Sequence, residues 1–316
     1  MIKPNAIVYV YNMETKPFLK WAGGKTQILQ PIMNLFPQEM NDYHEPFLGG
    51  GSVLLALLDA RTKGKIRIKG TVYASDVNPH LITLYQCIQT EPDALIQEVK
   101  RLVAEYESCQ GTEIQRNPTQ EQAFTSPESY YFWIRKQFNL QNNLQNKNQL
   151  ESSAKMLFLN KTCFRGLYRE GPNGFNVPFG NYKHPKVLDE DHIRKVSRMI
   201  QPVVFRTCSF EEALQQVGPQ DFVYLDPPYA PEHESSFTNY THKGFPLEQH
   251  QTLFQLCKQL KSGWVLSNAD VTIVREAFAA YPKQTLSCRR SIHSKTPDAR
   301  SNELLIQSLS LSMLKM

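Results

Sequence analysis

Residues 43–76 read YHEPFLGGGSVLLALLDARTKGKIRIKGTVYASD, and this stretch decides the fold. Its first residues predict a strand over 43–48 that ends in a glycine cluster, and the apolar run that follows predicts a helix over 52–60. A second strand is predicted over 70–75, and it ends at Asp76. Strand, glycine turn, helix, strand and acid are together typical of the opening unit of an α/β nucleotide-binding sheet.

The same alternation returns in the last third of the chain. Strands are predicted over 203–206, 221–225 and 263–267, and helices are predicted over 210–216 and 249–260. These elements extend the α/β pattern of the opening unit.

Between these two parts the pattern changes. Around residues 90–150, Gln and Asn are frequent, and helical stretches such as 130–138 occur without strands between them. A loop or hairpin is predicted over 163–184, which holds four glycines and two prolines. We therefore predict an α/β core that is interrupted by an inserted, mostly helical module.

Composition limits the class of protein. The 316 residues are 41% hydrophobic and 21% charged, which supplies enough apolar side chains for a buried core. No run approaches the about 18 apolar residues of a membrane span, and the first residues lack a secretion signal, so we expect a soluble, cytoplasmic protein with no membrane partner. The six cysteines lack metal-ligand spacing, so we expect no metal site and no disulfides.

Positive charge is concentrated in two stretches. Residues 161–206 carry nine Lys or Arg against four acids, and residues 283–300 carry five against one. Basic residues among aromatic residues suit a surface that follows nucleic-acid phosphates. A solvated basic face is the alternative interpretation.

The glycine turn has the sequence EPFLGGGS over residues 45–52. Glycine lets the backbone turn sharply and lets a ligand lie against it. The third spaced glycine of GxGxxG is missing, and Val53 stands near its place. Asp76, at the end of the next strand, could accept hydrogen bonds from the ribose hydroxyls of an adenosine-type cofactor. Its alternative role is to cap the helix that begins near Pro79.

A second motif, Asp226-Pro227-Pro228-Tyr229, follows the predicted strand 221–225. The two prolines remove backbone donors and fix φ, which stiffens a loop at the carboxyl end of the sheet. An acid and an aromatic ring are thereby held at the crevice where α/β sheets bind ligands. A merely structural turn would not require both side chains.

A third motif, KPFLKWAGGK over residues 16–25, places Trp21 and Lys25 around a Gly-Gly turn. The GKT that ends at Thr26 resembles part of a P-loop, but Leu19 stands where that motif needs its first glycine. We therefore set phosphoryl transfer aside. A buried tryptophan beside a helix-capping turn is the alternative interpretation.

Five motifs, taken in order, resemble a known family. They are KWAGGK (20–25), EPFLGGGS (45–52), SDVNP (75–79), FNVPFG (175–180) and DPPY (226–229). The set resembles the Dam-type, α-group DNA adenine-N6 methyltransferases over nearly the whole chain, about residues 16–305.

The resemblance implies a doubly wound, Rossmann-like α/β core with an inserted target-recognition domain. The implied parts are an N-terminal extension (1–12), a catalytic core (13–85 and 201–316) and a target-recognition domain (86–200), whose helical part is 86–160 and whose DNA-reading hairpin is 161–186.

The resemblance also implies S-adenosylmethionine as cofactor, with Phe210 covering its adenine. The implied cofactor-binding residues are Trp21, Ala22, Gly23, Lys25, Phe47, Gly49, Gly51, Asp76, Phe210 and Asp226.

Asp226, Pro227 and Tyr229 are the implied catalytic residues, and the implied substrate is a flipped adenine. Its amino nitrogen is a poor nucleophile, because the lone pair is delocalised into the ring. The Asp226 carboxylate and the Pro227 carbonyl can accept hydrogen bonds from that amino group, and Tyr229 would stack on the base. Positioning and electrostatics would supply the rate.

Residues 164–169, FRGLYR, match the DNA-reading hairpin of the family. By resemblance, Phe164 inserts at a base step, Leu167 touches a thymine methyl and Arg169 reads a guanine. Position 165 is Arg where GATC-specific relatives usually carry Asn, and position 164 is Phe where some carry Tyr. The implied target is GATC or a related short site.

Three further residues are implied in DNA binding. Lys20 matches a family lysine that contacts the recognition site. Arg289 and Arg290 are expected to clamp phosphates, and a solvated basic loop is the alternative.

The predicted activity is site-specific methyl transfer to adenine N6 in double-stranded DNA, by a monomer with no metal and with a cognate restriction endonuclease as a potential partner. Three alternatives stay open. A nucleotide-dependent oxidoreductase could use the glycine turn and Asp76 but would not need the DPPY motif. A catalytically inactive DNA-binding regulator would keep the basic hairpin, and cytosine-N4 transfer is the alternative among methyltransferases.

Overall fold

The structure is a computed structural model that describes residues 15–141, 148–230, 244–289 and 300–309. The predicted extension 1–12 lies outside these residues. The helices are α1 (Leu29–Leu35), α2 (Ser52–Thr62), α3 (Pro79–Thr90), α4 (Pro92–Ser108), α5 (Pro127–Gln141), α6 (Gln149–Thr162), α7 (Glu190–Met199), α8 (Phe210–Leu214), α9 (Leu247–Gln259) and α10 (Thr272–Ala277). The strands are β1 (Glu39–Met40), β2 (Tyr43–Glu45), β3 (Arg67–Ile68), β4 (Val72–Asp76), β5 (Glu170–Gly171), β6 (Gly174–Phe175), β7 (Val203–Thr207), β8 (Phe222–Leu225), β9 (Gly263–Ala269), β10 (Lys283–Arg289) and β11 (Arg300–Gln307).

One large sheet organises the molecule. Its seven strands lie in the order β10-β11-β9-β8-β2-β4-β7. Strands β9, β8, β2, β4 and β7 pair in parallel, whereas β11 runs antiparallel to both β9 and β10. From β2 the chain moves outward to β4 and β7, and it then returns to β8 on the other side of β2. The direction of winding therefore reverses between β2 and β8, where open α/β sheets bind ligands beyond the carboxyl ends of their strands.

The predicted α/β pattern is confirmed, with small shifts at the ends of elements. The first strand ends at Glu45 rather than at residue 48, because Pro46 follows and cannot donate a ladder hydrogen bond. The strand before the DPPY motif is buried along its whole length, as expected for the centre of a parallel sheet. β10 and β11 had no counterpart among the predicted elements.

Residues 92–199 contain α4, α5, α6 and α7 together with the short hairpin β5–β6. Buried residues of these helices, such as Leu95, Tyr131 and Phe158, belong to the same hydrophobic cluster as Tyr43 and Val72 of the sheet. The helices therefore share a core with the sheet. The domain boundary predicted at residue 86 falls inside α3.

Three polar residues lie together at the amino edge of the sheet: Asp42, His44 and Asp221. Asp221 Oδ1 accepts hydrogen bonds from the main-chain N–H of Asp42 and from the Asn41 side chain, both at 3.1 Å. Its Oδ2 accepts one from the main-chain N–H of Gly218 at 2.7 Å. These carboxylate oxygens close the turns before the strands, so the group has a structural role.

In the part of the chain that the structure describes, no helix is both long enough and apolar enough to cross a membrane. All six cysteines are free.

Candidate active site

The ends of three parallel strands form the candidate site. β2 leads into the glycine turn, β4 ends at Asp76 and β8 is followed by Asp226. The register of β2 with β4 and with β8 brings these three ends to one edge of the sheet. The glycine turn, Asp76 and Asp226, which the sequence patterns predicted separately, therefore lie together where the winding of the sheet reverses.

Asp76 is held against the glycine turn. Its Oδ2 accepts a hydrogen bond from the main-chain N–H of Gly49 at 3.1 Å, and its Oδ1 accepts one from that of Asn78 at 3.0 Å. Burial raises the pKa of the Asp76 carboxyl, and the backbone hydrogen bonds oppose the rise. The alternative role as a helix cap belongs instead to Asn78, whose side chain accepts from the N–H groups of His80 and Leu81.

The third motif packs directly on the glycine turn. A Cβ atom on Gly50 would lie 2.9 Å from Cβ of Trp21, so the close approach depends on glycine. On its other side the Trp21 ring stacks on Tyr168, with ring centroids 5.5 Å apart. Ala22 is half-buried and Gly23, with φ of 78°, is exposed. Trp21 therefore connects the glycine turn to the segment that was predicted to read DNA.

An aromatic cluster lies beyond β2. Phe47 stacks on Phe210 with centroids 5.6 Å apart and an interplanar angle of 27°. Phe245 completes the cluster at 6.0 Å from Phe47 and 5.7 Å from Phe210. The first two rings were predicted as cofactor-binding residues, and Phe245 was not identified. Flat apolar faces of this kind suit a purine ring.

Asp226 forms a buried ion pair with Lys25. The Lys25 Nζ atom lies 2.8 Å from Asp226 Oδ2, and the two side chains are 3% and 19% exposed. Lys25 Nζ also donates to the carbonyl oxygen of Gly23 at 2.5 Å and lies 4.8 Å from the centroid of the Tyr229 ring. The sequence placed Lys25 in the cofactor pocket but did not identify it as the partner of Asp226.

Burial is the main influence on the pKa values of two acids at this site, Asp226 and Glu45. It raises the pKa of Asp226 to about 6, with Lys25 opposing the rise and Glu303 adding to it. Burial likewise raises the pKa of Glu45 to about 8, although a hydrogen bond from the Tyr43 hydroxyl, 2.7 Å long, opposes the rise. At pH 7 Glu45 is therefore mostly protonated and Asp226 mostly ionised.

Tyr229 is half-buried, and its hydroxyl donates a hydrogen bond to Glu303 Oε2 at 2.8 Å. Sequence reasoning missed Glu303. Its strand β11 ends in the apolar run Leu304–Leu305–Ile306, and that run was the available signal for a buried strand.

The segment 164–169 forms a loop at the end of α6. Phe164 is 44% exposed. Arg165 has a φ of 57°, in the left-handed region, and its main-chain N–H donates to the Tyr182 hydroxyl at 2.9 Å. Leu167 packs against the core, and Arg169 Nε donates to Asn176 Oδ1 at 2.7 Å. Phe164 is therefore accessible to a partner, whereas Arg169 is held by the hairpin.

Asn160, which sequence reasoning missed, anchors this loop to the third motif. Its side chain accepts from the main-chain N–H of Lys20 at 3.0 Å and donates to the Lys20 carbonyl at 2.7 Å. It also donates to the Gly166 carbonyl at 3.1 Å. The Lys20 Nζ atom lies 4.7 Å from the centroid of the Tyr182 ring. The predicted DNA-binding residues Lys20 and 164–169 are thus neighbours.

Part of the basic stretch 161–206 is paired within the protein. Lys186 forms an ion pair with Asp189 at 2.6 Å, and Arg194 forms one with Asp93 at 2.9 Å. For these residues the solvated-face interpretation holds. The side chain of Arg289 and all of Arg290 lie outside the described residues, so their phosphate contacts stay a prediction.

A mostly parallel α/β sheet with a glycine turn, Asp76 and Asp226 on one edge defines an α/β ligand-binding enzyme. Comparison with known proteins gives the family. Residues 21–292 match the family model described as D12 class N6 adenine-specific DNA methyltransferase. The chain belongs to this family.

The sequences of curated relatives match this chain over most of its length. The Type II methyltransferase M.MjaIII of Methanocaldococcus jannaschii is 36% identical, across 94% of this chain and 100% of its own length. The Type II methyltransferase M1.LlaDCHI of Lactococcus lactis subsp. cremoris is 32% identical, across 89% and 90%. The DNA adenine methylase of Haemophilus influenzae is 30% identical, across 95% of each chain.

The protein is therefore an enzyme that methylates the N6 position of adenine in DNA, which confirms the predicted activity. The family favours adenine N6 over the cytosine-N4 alternative and over an oxidoreductase. The family and its curated relatives also favour an enzyme over an inactive regulator.

Proposed function

We propose that the protein transfers a methyl group from S-adenosylmethionine to an adenine that is turned out of duplex DNA, at GATC or a related short site. One observation carries the proposal: Lys25 contacts Asp226, and its motif packs through Trp21 on the glycine turn that holds Asp76. The cofactor residues and the catalytic loop therefore share one edge of the sheet. In this proposal 13–85 and 201–316 form a doubly wound, Rossmann-like core, and 86–200 form the target-recognition domain.

The residues at this edge fit S-adenosylmethionine. Asp76 offers carboxylate oxygens suited to ribose hydroxyls, and the aromatic faces of Phe47 and Phe210 suit the adenine. Gly49 and Gly51, both with positive φ, let the backbone turn sharply beside Asp76, and Trp21 and Tyr85 fill the places that their Cβ atoms would take. When bound, this cofactor supplies a methyl group on a positively charged sulfur.

The catalytic loop fits an exocyclic amine. The Asp226 carboxylate and the Pro227 carbonyl accept hydrogen bonds from the adenine amino group, so they orient its nitrogen toward the methyl donor. Tyr229 offers a face for stacking. Lys25 Nζ contacts Asp226 Oδ2, so the adenine amino group would share this carboxylate with Lys25.

The proposal predicts an acid limit to activity. Because the ionised Asp226 carboxylate is a stronger hydrogen-bond acceptor than the protonated acid, and its pKa is raised to about 6, we expect kcat/KM to fall as the pH decreases through about 6. The pKa of Asp226 is also higher in the folded chain than in the unfolded chain. The stability that protonated Asp226 gives the fold is therefore fully present below its ordinary pKa, and it is lost as the pH rises through about 6. A pH–rate profile with saturating cofactor measures the limit.

Lys25→Met should move that limit to higher pH, because the Lys25 charge lowers the Asp226 pKa. Lys63→Met is the matched control, since Lys63 also pairs with an aspartate, Asp59, at 2.8 Å but follows the end of α2. If kcat/KM of Lys25→Met falls at the same pH as in the wild type, or at a lower pH, this acid limb of the profile would contradict the assigned role of Lys25.

The loop 164–169 and Lys20 are proposed to read the DNA. Phe164 would insert at a base step, Leu167 would touch a thymine methyl, and Arg169 would exchange Asn176 for a guanine. Arg165 is expected to contact the DNA beside Phe164. Arg289 and Arg290 would hold phosphates.

Arg169→Ala is expected to relax the choice of base at one position of the site, at a cost of roughly 1–3 kcal/mol in discrimination. Methylation of duplexes that differ from the cognate site by one base pair measures the change. Arg198→Ala, which removes the same charge from an exposed position of α7, is the control. An equal loss on all duplexes would instead make Arg169 a phosphate contact.

Single-molecule sequencing of DNA from cells that express the protein tests the proposed target, because it reports the modified base and its surrounding site together. Two relatives are named Type II methyltransferases. A cognate restriction endonuclease that cuts the unmodified site is therefore a proposed partner of this chain, which we expect to act as a monomer.

A further inference from the structure

Glu303 belongs to the carboxyl edge of the sheet although it lies near the start of its strand. β11 runs antiparallel to β9, and Glu303 pairs with Ala269, the last residue of β9. An antiparallel strand begins where its parallel neighbours end, so its first residues reach the functional edge. Glu303 is half-buried there.

Two groups hold the Tyr229 ring. Its hydroxyl donates to Glu303 Oε2 at 2.8 Å, and Lys25 Nζ lies 4.8 Å from the ring centroid. Burial is the main cause that raises the pKa of Tyr229 well above its ordinary value, so the phenol stays a donor at neutral pH. A hydrogen bond to an ionised acceptor is about twice as strong as a neutral one.

We infer that Glu303 is a positioning residue for methyl transfer: its carboxylate holds the Tyr229 hydroxyl and so fixes the position of the ring on which the target base stacks. This inference rests on the proposed function of the DPPY loop. A tyrosine ring that is held only at its Cβ end can swing about the Cα–Cβ bond, and stacking needs the ring face in one place. The hydrogen bond fixes the far end of the ring.

The inference can be separated from a general electrostatic effect. The charged and titratable groups that face Asp226 include Lys25, Glu45 and Glu303, together with the phenols of Tyr224 and Tyr229. On β10, the Cys288 thiol also faces Glu303. Glu303→Gln keeps an oxygen that can accept the Tyr229 bond but removes the charge, whereas Glu303→Ala removes both.

The experiment uses four variants of the full chain: Glu303→Ala, Glu303→Gln, Tyr229→Phe and the double variant Tyr229→Phe with Glu303→Ala. Steady-state kinetics gives kcat and KM for duplex DNA with S-adenosylmethionine. Duplexes with 2-aminopurine at the target position report the turned-out base, because its fluorescence rises when the base leaves the helix and falls when it stacks on an aromatic ring. Thermal unfolding checks that each variant folds, and Glu276→Ala, an exposed acid on α10, is the control.

Loss of one charge-assisted hydrogen bond predicts about a tenfold lower kcat for Glu303→Ala, with a smaller change in KM and brighter 2-aminopurine. Tyr229→Phe should show the same changes in kcat, KM and fluorescence, and the kcat of the double variant should be no lower than that of either single variant. Glu303→Gln should keep most of kcat, and the acid limb of its pH profile should move to lower pH, because the Glu303 charge raises the Asp226 pKa. Glu276→Ala should match the wild type.

Two results would overturn the inference: additive losses in the double variant, or wild-type kinetics and fluorescence in Glu303→Ala, while the wild type still transfers methyl groups and turns out the base. If the wild type itself shows neither methyl transfer from S-adenosylmethionine nor a fluorescence rise, the proposed function fails and the inference falls with it. If Glu303→Ala does not fold, Glu303→Gln and Tyr229→Phe decide. Wild-type kcat and fluorescence in Tyr229→Phe, or a kcat of Glu303→Gln as low as that of Tyr229→Phe, then overturns the role.

Discussion

Asp226→Ala is expected to lower the turnover of adenine methylation by about a thousandfold or more, while binding of duplex DNA largely survives. In the proposed mechanism Asp226 supplies the charged acceptor for the adenine amino group, and the Pro227 carbonyl alone would not hold that group against rotation. The predicted DNA-reading residues lie on another segment, 164–169, so affinity should change little. Incorporation of label from S-adenosylmethionine and a gel-shift titration measure the two quantities.

A structural loss could imitate this result, because the variant leaves Lys25 buried without its partner. Breaking a buried ion pair costs about 3–5 kcal/mol of stability, and the cost is lower where a partner is partly exposed, as Asp226 is at 19%. The double variant Asp226→Ala with Lys25→Met removes both charges, so it should recover stability in thermal unfolding without recovering turnover. Turnover within about tenfold of wild type in either variant would remove the catalytic assignment.

Most of the candidate site could be predicted because it lies in short, local patterns. The glycine turn, Asp76 and Asp226 each follow a strand directly, and the carboxyl ends of parallel strands meet at one edge whatever the loops between them do. The strand that precedes Asp226 was predicted as 221–225 and begins one residue later, at Phe222. Local pattern and sheet topology together were enough to bring these residues into one place.

Contacts between distant segments could not be predicted in the same way. Asn160 joins Lys20 to Gly166, and Glu303 holds Tyr229, through hydrogen bonds that depend on how α6 and β11 pack. A single Asn or Glu in a sequence has many potential partners, so only the folded chain selects one.

Two of the helices whose bounds were not predicted, α6 and α7, differ in the signal that their sequences offer. α6 is buried on nearly all sides, including Ser152, Ser153 and Lys155, so it has no apolar face to give a helical period. α7 had a readable signal: Asp189 caps it, and its buried residues Ile193 and Val196 are three apart. The unpredicted bounds of α6 have a physical cause, and those of α7 were an overlooked pattern.

Gly51→Ala is expected to destabilise the fold by about 2–5 kcal/mol and to weaken the binding of S-adenosylmethionine by tenfold or more, about 1.4 kcal/mol. Gly51 has a φ of 70° and begins α2. A side chain costs about 1–2 kcal/mol in this left-handed region. In addition, its Cβ would overlap the Tyr85 hydroxyl oxygen, and overpacking of this kind costs about 1–3 kcal/mol.

The Tyr85 ring cannot easily move away, since it is fully buried and stacks on Phe205 with centroids 5.2 Å apart. Its hydroxyl also donates to the Gly49 carbonyl at 3.3 Å, so displacement would disturb the turn that holds Asp76. Thermal unfolding and calorimetric titration with S-adenosylmethionine measure stability and binding.

Two further variants separate the backbone cost from the overlap. Gly64, with a φ of 68° and no heavy atom within 4 Å of a Cβ placed there, isolates the backbone cost, so Gly64→Ala should lose only about 1–2 kcal/mol and no cofactor affinity. Tyr85→Phe in the Gly51→Ala background removes the overlapping oxygen and leaves the ring carbon Cζ at 3.2 Å. This double variant should therefore regain the stability that Gly51→Ala loses to the overlap but not the stability that it loses to the left-handed φ. Gly51→Ala could instead lose no more stability and no more cofactor affinity than Gly64→Ala. In that case the glycine turn is not the tightly packed part of the cofactor site that its contacts with Tyr85 and Asp76 indicate.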